Sequence, residues 1–303
     1  MKGACIAVAL LGIGISAEAA GQRSEPPTVR AYLWSAERPK SSVGEINVFR
    51  RFSSERTAAM REFYGGLLGL PVLPETALGG GQMLRYPLGQ SEVKLFPVAP
   101  SPANSAGPSE AVGVRLLTFF FPDEAAVMQR FTAHGLPAPR FERATSRPGA
   151  TSAALVQDAD WVELVVVPAA TAAQLARFEI GIAVSDLAAS RAFYGDVMGL
   201  EAQPELRDEL LGVLRYPYTH GATTINLWPA RAGAPKDAAT GGIQYIVWNV
   251  AAIDAVVRER GAAIDRPLSA PGQMRTLWLT DPDGVSNYFA EFGGNDNRTI
   301  SRN

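Results

Sequence analysis

Two glutamates stand in strands that are otherwise apolar. Glu179 lies near the start of FEIGIAV at 178–184, where Ile180, Ile182 and Val184 alternate with small residues, the period-2 pattern of a half-buried strand. Glu163 follows Trp161-Val162 and precedes Leu164-Val165. A carboxylate in such a setting can ligate a metal, move a proton once burial has raised its pKa, or hold a hydrogen-bond partner. For Glu163 an ion pair with Lys94 is the expectation, since a buried acid needs a partner. Arg85 and Arg215 each precede a Tyr-Pro. They can grip an anion through two parallel hydrogen bonds, although a strand arginine facing solvent is the plainer expectation. His134 at a helix end and His220 in a turn are expected as surface or loop residues. Trp228, Trp248 and Trp278 are core candidates, and any one of them lining a cavity favours flat, aromatic or apolar ligands.

The elements that must position these groups are legible. After the 178–184 strand, Asp186 offers an N-cap, Leu187, Phe193, Tyr194, Val197 and Met198 recur at helical spacing, and Gly199 supplies a stop. The same order appears earlier, with a strand at 45–52, a helix at 55–68 and strands at 82–88 and 92–98. Strand, helix and strands recur at 112–121, 123–134 and up to 167, and again from 243 to 292. FYGGLLGLP at 63–71 matches FYGDVMGLE at 193–201, and LRYP at 84–87 matches LRYP at 214–217; both pairs are 130 residues apart. Two matches at one offset indicate a duplicated unit of roughly 120 to 130 residues. Each unit holds strand-helix-strands twice. Such a module cannot cover its own sheet face, so two must pair into a curved sheet with a concave cup, the default place for a site. The fold class is α+β, with pairing expected inside each half. The boundaries are a linker at 20–42, a first domain at 43–168, a second at 175–293 and a polar tail at 294–303.

Charge and composition narrow the partners. Among 303 residues, 28 basic and 30 acidic side chains give a net charge of -2, with no basic run to suit nucleic acid or an anionic membrane. A small molecule is the expected ligand, and the chain is expected as a monomer or homodimer. Residues 1–19 carry Lys2, an apolar run and Ala17-Glu18-Ala19, the form of a secretion signal too short to span a bilayer. A secreted or periplasmic location follows, with no membrane span once the signal is removed. Cys5, the only cysteine, would leave with it, so the mature chain has no disulfide.

In IGIAVSDLAASRAFYGDVMGL, GGIQYIVWNVAAIDAVVRERGAAI and LWLTDPDGVSNYFAEF, in that order, the second half resembles the vicinal oxygen chelate superfamily, which includes glyoxalase I, bleomycin-resistance proteins and extradiol dioxygenases. FYGGLLGL and QDADWVELVV make the first half a weaker match. The resemblance implies metal ligands facing into the cup. Residue by residue, those positions fall on Glu179, Asn226, Tyr245 and Tyr288 in the second half, and on Lys94, Leu116 and Glu163 in the first, where the first-strand position falls on Phe49 or Glu45. Only Glu179 and Glu163 sit clearly where a ligand belongs. The expectation is therefore a metal-free cup with no cofactor, in which Glu179, Tyr245 and Tyr288 transfer a proton in an isomerase, lyase or cyclase-type reaction. Asn226, Trp228, Arg215 and Trp248 would bind the ligand. Alternatives are a non-catalytic binding or sequestering protein, and a metal-dependent dioxygenase or lyase if the strand registers are shifted by one.

Overall fold

The computed structural model describes residues 27–33, 46–78, 81–98, 107–144, 146–158, 161–237, 241–271 and 274–292. The signal reading of 1–19 and the tail at 294–303 lie outside them. Four modules follow one another. The first has β1 (Ile46–Ser53), α1 (Thr57–Arg61) continued by a π-helical turn (Glu62–Leu67), β2 (Leu73–Leu78), β3 (Gly81–Leu88) and β4 (Ser91–Val98). The second has β5 (Gly113–Phe121), α2 (Glu124–Ala133), β6 (Glu142–Arg143), β7 (Ser152–Gln157) and β8 (Trp161–Val166). After a single turn, α3 (Ala172–Leu175), the third has β9 (Phe178–Val184), α4 (Leu187–Ala192) with its own π turn (Phe193–Val197), β10 (Glu201–Ala202), β11 (Leu206–Asp208), β12 (Val213–His220) and β13 (Thr223–Pro229). The fourth has β14 (Gly242–Ile246), α5 (Val250–Glu259), β15 (Ile264–Arg266), β16 (Met274–Thr280) and β17 (Ser286–Phe292).

The modules do not pair within each half. The first sheet runs β15-β16-β17-β14-β1-β4-β3-β2 and joins module one to module four; the second runs β10-β12-β13-β9-β5-β8-β7-β6 and joins modules two and three. Both joins are antiparallel, β1 on β14 and β5 on β9. The expectation of pairing inside each half is corrected here. A repeat reveals which segments are alike, whereas pairing depends on which first-strand edges meet. Modules two and three meet through β5 and β9, and modules one and four through β1 and β14.

The core lies on the helix-bearing faces of both sheets. It holds Val48, Val93, Leu95, Ile180, Ile182, Ile225 and Leu227, each fully buried, on alternate strand positions as period-2 geometry demands. The strongest repeat explains how the sheets are tied. Tyr64 and Tyr194 occupy equivalent places in the two π turns and are both fully buried. Tyr64 Oη donates to Asp158 Oδ2 at 2.5 Å, and Tyr194 Oη donates to Asp281 Oδ2 at 3.1 Å. Asp158 belongs to the turn before β8 and Asp281 to the turn before β17, so each tyrosine of one sheet is bonded to the other.

Two local expectations change. His220 is buried at the end of β12 and does not sit in a turn. In the 20–42 segment, Val29 and Leu33 are buried in the core and Arg30 N donates to Met198 O at 2.9 Å, so this part is anchored. His134 caps α2 and bonds Glu62, as a surface residue.

Candidate functional site

Each sheet has a face turned away from the core, and the two faces differ in chemistry. On the second sheet it carries Leu116 and Thr118 of β5, Glu163 of β8, Glu179, Gly181 and Ala183 of β9, and Asn226 and Trp228 of β13, set by alternation with the core positions. Arg147, from the loop between β6 and β7, reaches between the two acids. Its Nη1 donates to Glu179 Oε2 at 2.9 Å and its Nη2 to Glu163 Oε2 at 2.9 Å. Arg215 Nη2 donates to the same Glu163 oxygen at 3.1 Å, and also bonds Asp208. Thr118 Oγ1 completes Glu163 at 2.7 Å, and Asn226 Nδ2 completes Glu179 at 2.8 Å. Burial alone would push the Glu163 carboxyl up, but Arg147 and Arg215 outweigh it and hold the group below the usual carboxylate range.

This cup is filled. The Trp228 ring occupies the space beside Gly181, where a Cβ would come within 2.7 Å of the ring and 2.8 Å of Leu116 Cβ. The guanidinium of Arg215 lies 5.7 Å from the Trp228 ring centroid, and Leu211 and Val213 pack over the Leu116, Ala183 and Trp228 cluster. About 10 Å³ remains beside Arg147, Glu163 and Asp208, room for about one water.

The first sheet is more open. Its face carries Asn47 and Phe49 of β1, Glu92, Lys94 and Phe96 of β4, Gln244 of β14, Trp278 of β16 and Tyr288 of β17. Lys94, Phe96, Trp278 and Tyr288 are half-buried. Trp278 and Tyr288 stack with centroids 4.3 Å apart and planes 13° from parallel. Phe49 lies 5.7 Å from Tyr288 and 6.0 Å from Phe96, so the rings form a continuous apolar wall. Beside it is a polar cluster in which Gln244 Oε1 accepts from Lys94 Nζ at 2.5 Å and from Asn47 Nδ2 at 3.0 Å. Burial, aided by Arg85, pushes the Lys94 amine down despite Glu92. Glu92 is itself held by Arg85 at 2.6 and 3.1 Å.

The expected single cup holding Glu179, Asn226, Tyr245 and Tyr288 is therefore split. Glu179 and Asn226 meet in the second sheet. Tyr288 lies in the first, paired across strands with Gln244. Tyr245 points into the core, stacked on Phe289 at 5.2 Å with its hydroxyl donating to Asn287 at 3.0 Å. The register slipped by one, which moves a side chain to the opposite face: Gln244 is the cup residue. Arg215 and Trp228, expected as ligand-binding, are fully buried packing and ion-pair residues. Trp248 stands outside both cups, 5.2 Å from the Tyr32 ring. Lys94 does not partner Glu163; the two lie in different sheets. SRPGA at 146–150 has no periodicity that would mark Arg147, and the family resemblance points one residue past Gln244.

The metal implied by the resemblance does not fit these residues. In the second cup the guanidinium of Arg147 lies between the two carboxylates that would have to hold the ion, and in the first an amine sits among amides. Among the described residues, no group of three His, Cys, Asp or Glu side chains is placed to hold a metal ion, and no helix is long and apolar enough to cross a membrane.

The sequence profile of the Glyoxalase/Bleomycin resistance protein/Dioxygenase superfamily matches residues 174–289. A provisionally assigned dioxygenase from Bacillus subtilis subsp. subtilis str. 168 superimposes with a TM-score of 0.61 at 15% identity, covering 84% of this chain and 87% of that one. Glyoxalase I from Zea mays superimposes with a TM-score of 0.60 at 17% identity, covering 82% and 92%. At such identities the likeness is one of fold. A search of curated proteins finds no match.

Proposed function

Since residues 174–289 match the Glyoxalase/Bleomycin resistance protein/Dioxygenase superfamily profile and the chain shares the fold of glyoxalase I, we propose that it is an exported, metal-free binding protein of that superfamily that holds a small, partly aromatic molecule in the cup of the first sheet. The observation that carries this reading is the half-buried Trp278–Tyr288 stack at 4.3 Å, continued by Phe49 and Phe96. A flat ligand extends such a stack at little conformational cost, and Lys94 with the Gln244 and Asn47 amides gives it a polar end that fixes orientation. The export element of the proposal rests on 1–19 alone.

A proton-transfer enzyme is the weaker reading. Glu179 is committed to Arg147 and Asn226, Tyr245 is in the core, and burial with Glu92 nearby raises Tyr288 further above the ordinary phenol, which keeps it protonated and unavailable as a base. The test is titration of the purified protein with a panel of aromatic compounds, followed by tryptophan fluorescence. Saturable quenching that weakens at least 10-fold in Trp278→Ala and persists in Trp248→Ala is expected. Equal affinity in Trp278→Ala would reject the first cup as the site, and product formation from a bound compound would restore the enzyme reading.

A further inference from the structure

We infer that the first cup captures carbonyl compounds, with Lys94 Nζ forming a reversible imine to an aromatic aldehyde or ketone seated against Trp278 and Tyr288. The inference rests on the proposed aromatic site and names its ligand class. Lys94 shares the face that carries the rings, on β4 opposite Phe49 of β1. Its amine donates to a neutral amide, Gln244 Oε1, and no ion pair to a carboxylate accompanies this bond among the described residues. Glu92, two residues away on the same strand face, is bound by Arg85 Nε and Nη2. A lysine held this way, by an uncharged acceptor and in a partly apolar cup, is available as a free amine more readily than one in an ion pair.

A second observation is independent of the lysine. Asn47 is 2% exposed, and its Oδ1 has no hydrogen-bond partner. A buried acceptor left unpaired is costly. Its Nδ2 is fixed on the same Gln244 oxygen that takes Lys94, so the orphan oxygen belongs to the cluster around the amine. In the step, the nitrogen lone pair forms a C–N bond to the carbonyl carbon, the C=O π pair moves to oxygen, and a proton passes from nitrogen to that oxygen to give a carbinolamine. Loss of the hydroxyl with the second amine proton, as water, leaves the C=N bond. An amine and a carbonyl thus give an imine and water, with no oxidant or reductant required. The aromatic wall selects a ring on the carbonyl carbon.

The chain has four lysines, Lys2, Lys40, Lys94 and Lys236, so adducts are easily located. The full chain is incubated with benzaldehyde, or with butanal as the non-aromatic control, in the presence of cyanoborohydride to reduce any imine, and the product is read by intact and peptide mass. One benzyl adduct per chain is expected, at Lys94, formed at least 10-fold faster than at Lys236 and at least 10-fold faster than the butanal adduct. Lys94→Arg, which keeps the cation, should lose it. Should that variant fail to fold, protection of Lys94 in the parent chain by a non-carbonyl aromatic such as benzyl alcohol serves as the second measurement. Equal labelling of Lys94 and Lys236, or labelling unaffected by benzyl alcohol, overturns the inference. Saturable benzaldehyde quenching of tryptophan fluorescence without Lys94 labelling overturns the imine and leaves the aromatic site standing; absence of both overturns the site as well.

Discussion

Glu163 and Glu179, on the last strand of one module and the first strand of the next, are joined by the single guanidinium of Arg147, each at 2.9 Å. The side chains of Glu163, Glu179 and Arg147 are only 2%, 10% and 10% exposed. Removing the shared cation leaves two mostly buried carboxylates facing one another across β5. Arg147→Met is expected to cost about 3–5 kcal/mol, the range for breaking a buried pair, and Glu179→Gln in that background should recover part of it. Urea denaturation of the two variants checks this; a loss below about 1 kcal/mol for Arg147→Met contradicts the linkage.

Arg147 also stands where a divalent ion would have to be. The parent chain should show no rise in melting temperature with Mn2+, Ni2+ or Zn2+, whereas Arg147→Ala, which removes the bonds to Glu163 and Glu179, should gain a saturable rise that Glu179→Gln removes. Thermal shift against each metal is the measurement. Stoichiometric metal in the parent that is lost in Glu179→Gln would show that the guanidinium is not the resident cation.

Two buried acids give stability opposite dependences on pH. Glu163 has a folded pKa below its unfolded value, so its contribution is present above the ordinary glutamate range and is lost as pH falls through the folded pKa. Asp281 is raised to about 6 from 3.8, chiefly by burial. The folded state therefore holds that proton more tightly, and the fold loses about 3 kcal/mol from this group as pH rises from about 4 to 6. In urea titrations, Asp281→Asn should flatten this fall, whatever its overall stability. An unchanged slope between pH 4 and 6 would show that Asp281 ionises freely in the folded chain.

The fold was readable because its signals are periodic or repeated. Ile180, Ile182 and Val184 alternate on one face of β9, and the FYG repeat marks Tyr64 and Tyr194, whose hydroxyls bond Asp158 and Asp281 across the two sheets. The site was readable only in part. Glu179 and Asn226 share one face, as the one polar residue among apolar neighbours in each strand indicates. In β14 the same rule points to Gln244, the one polar residue between Ile243 and Tyr245, whereas the family resemblance points to Tyr245; the residue pattern and not the resemblance carries the register there. Module pairing was invisible for another reason: equivalent modules carry equivalent edges, and only the chain path decides which edges meet. Arg147 belongs to a loop whose position depends on that pairing, so its role between Glu163 and Glu179 could not be read before the sheets were known.

Gly181 separates the roles of the two cups. It is the cup-facing residue of β9 next after Glu179, and the Trp228 ring packs where its side chain would be, with an added Cβ 2.7 Å from the ring and 2.8 Å from Leu116 Cβ. The ring is not free to retreat. It is fully buried, and its Nε1 donates to Ser109 Oγ at 3.1 Å. Gly181→Ala should therefore overpack the second cup and cost about 1–3 kcal/mol, seen as a lower urea midpoint. Because the aromatic wall and Lys94 belong to the other sheet, affinity for an aromatic ligand should stay within about twofold, a difference of about 0.4 kcal/mol. A neutral effect on stability would mean that Trp228 does not fill the cup, and a large loss of affinity with the fold intact would place the ligand in the second sheet.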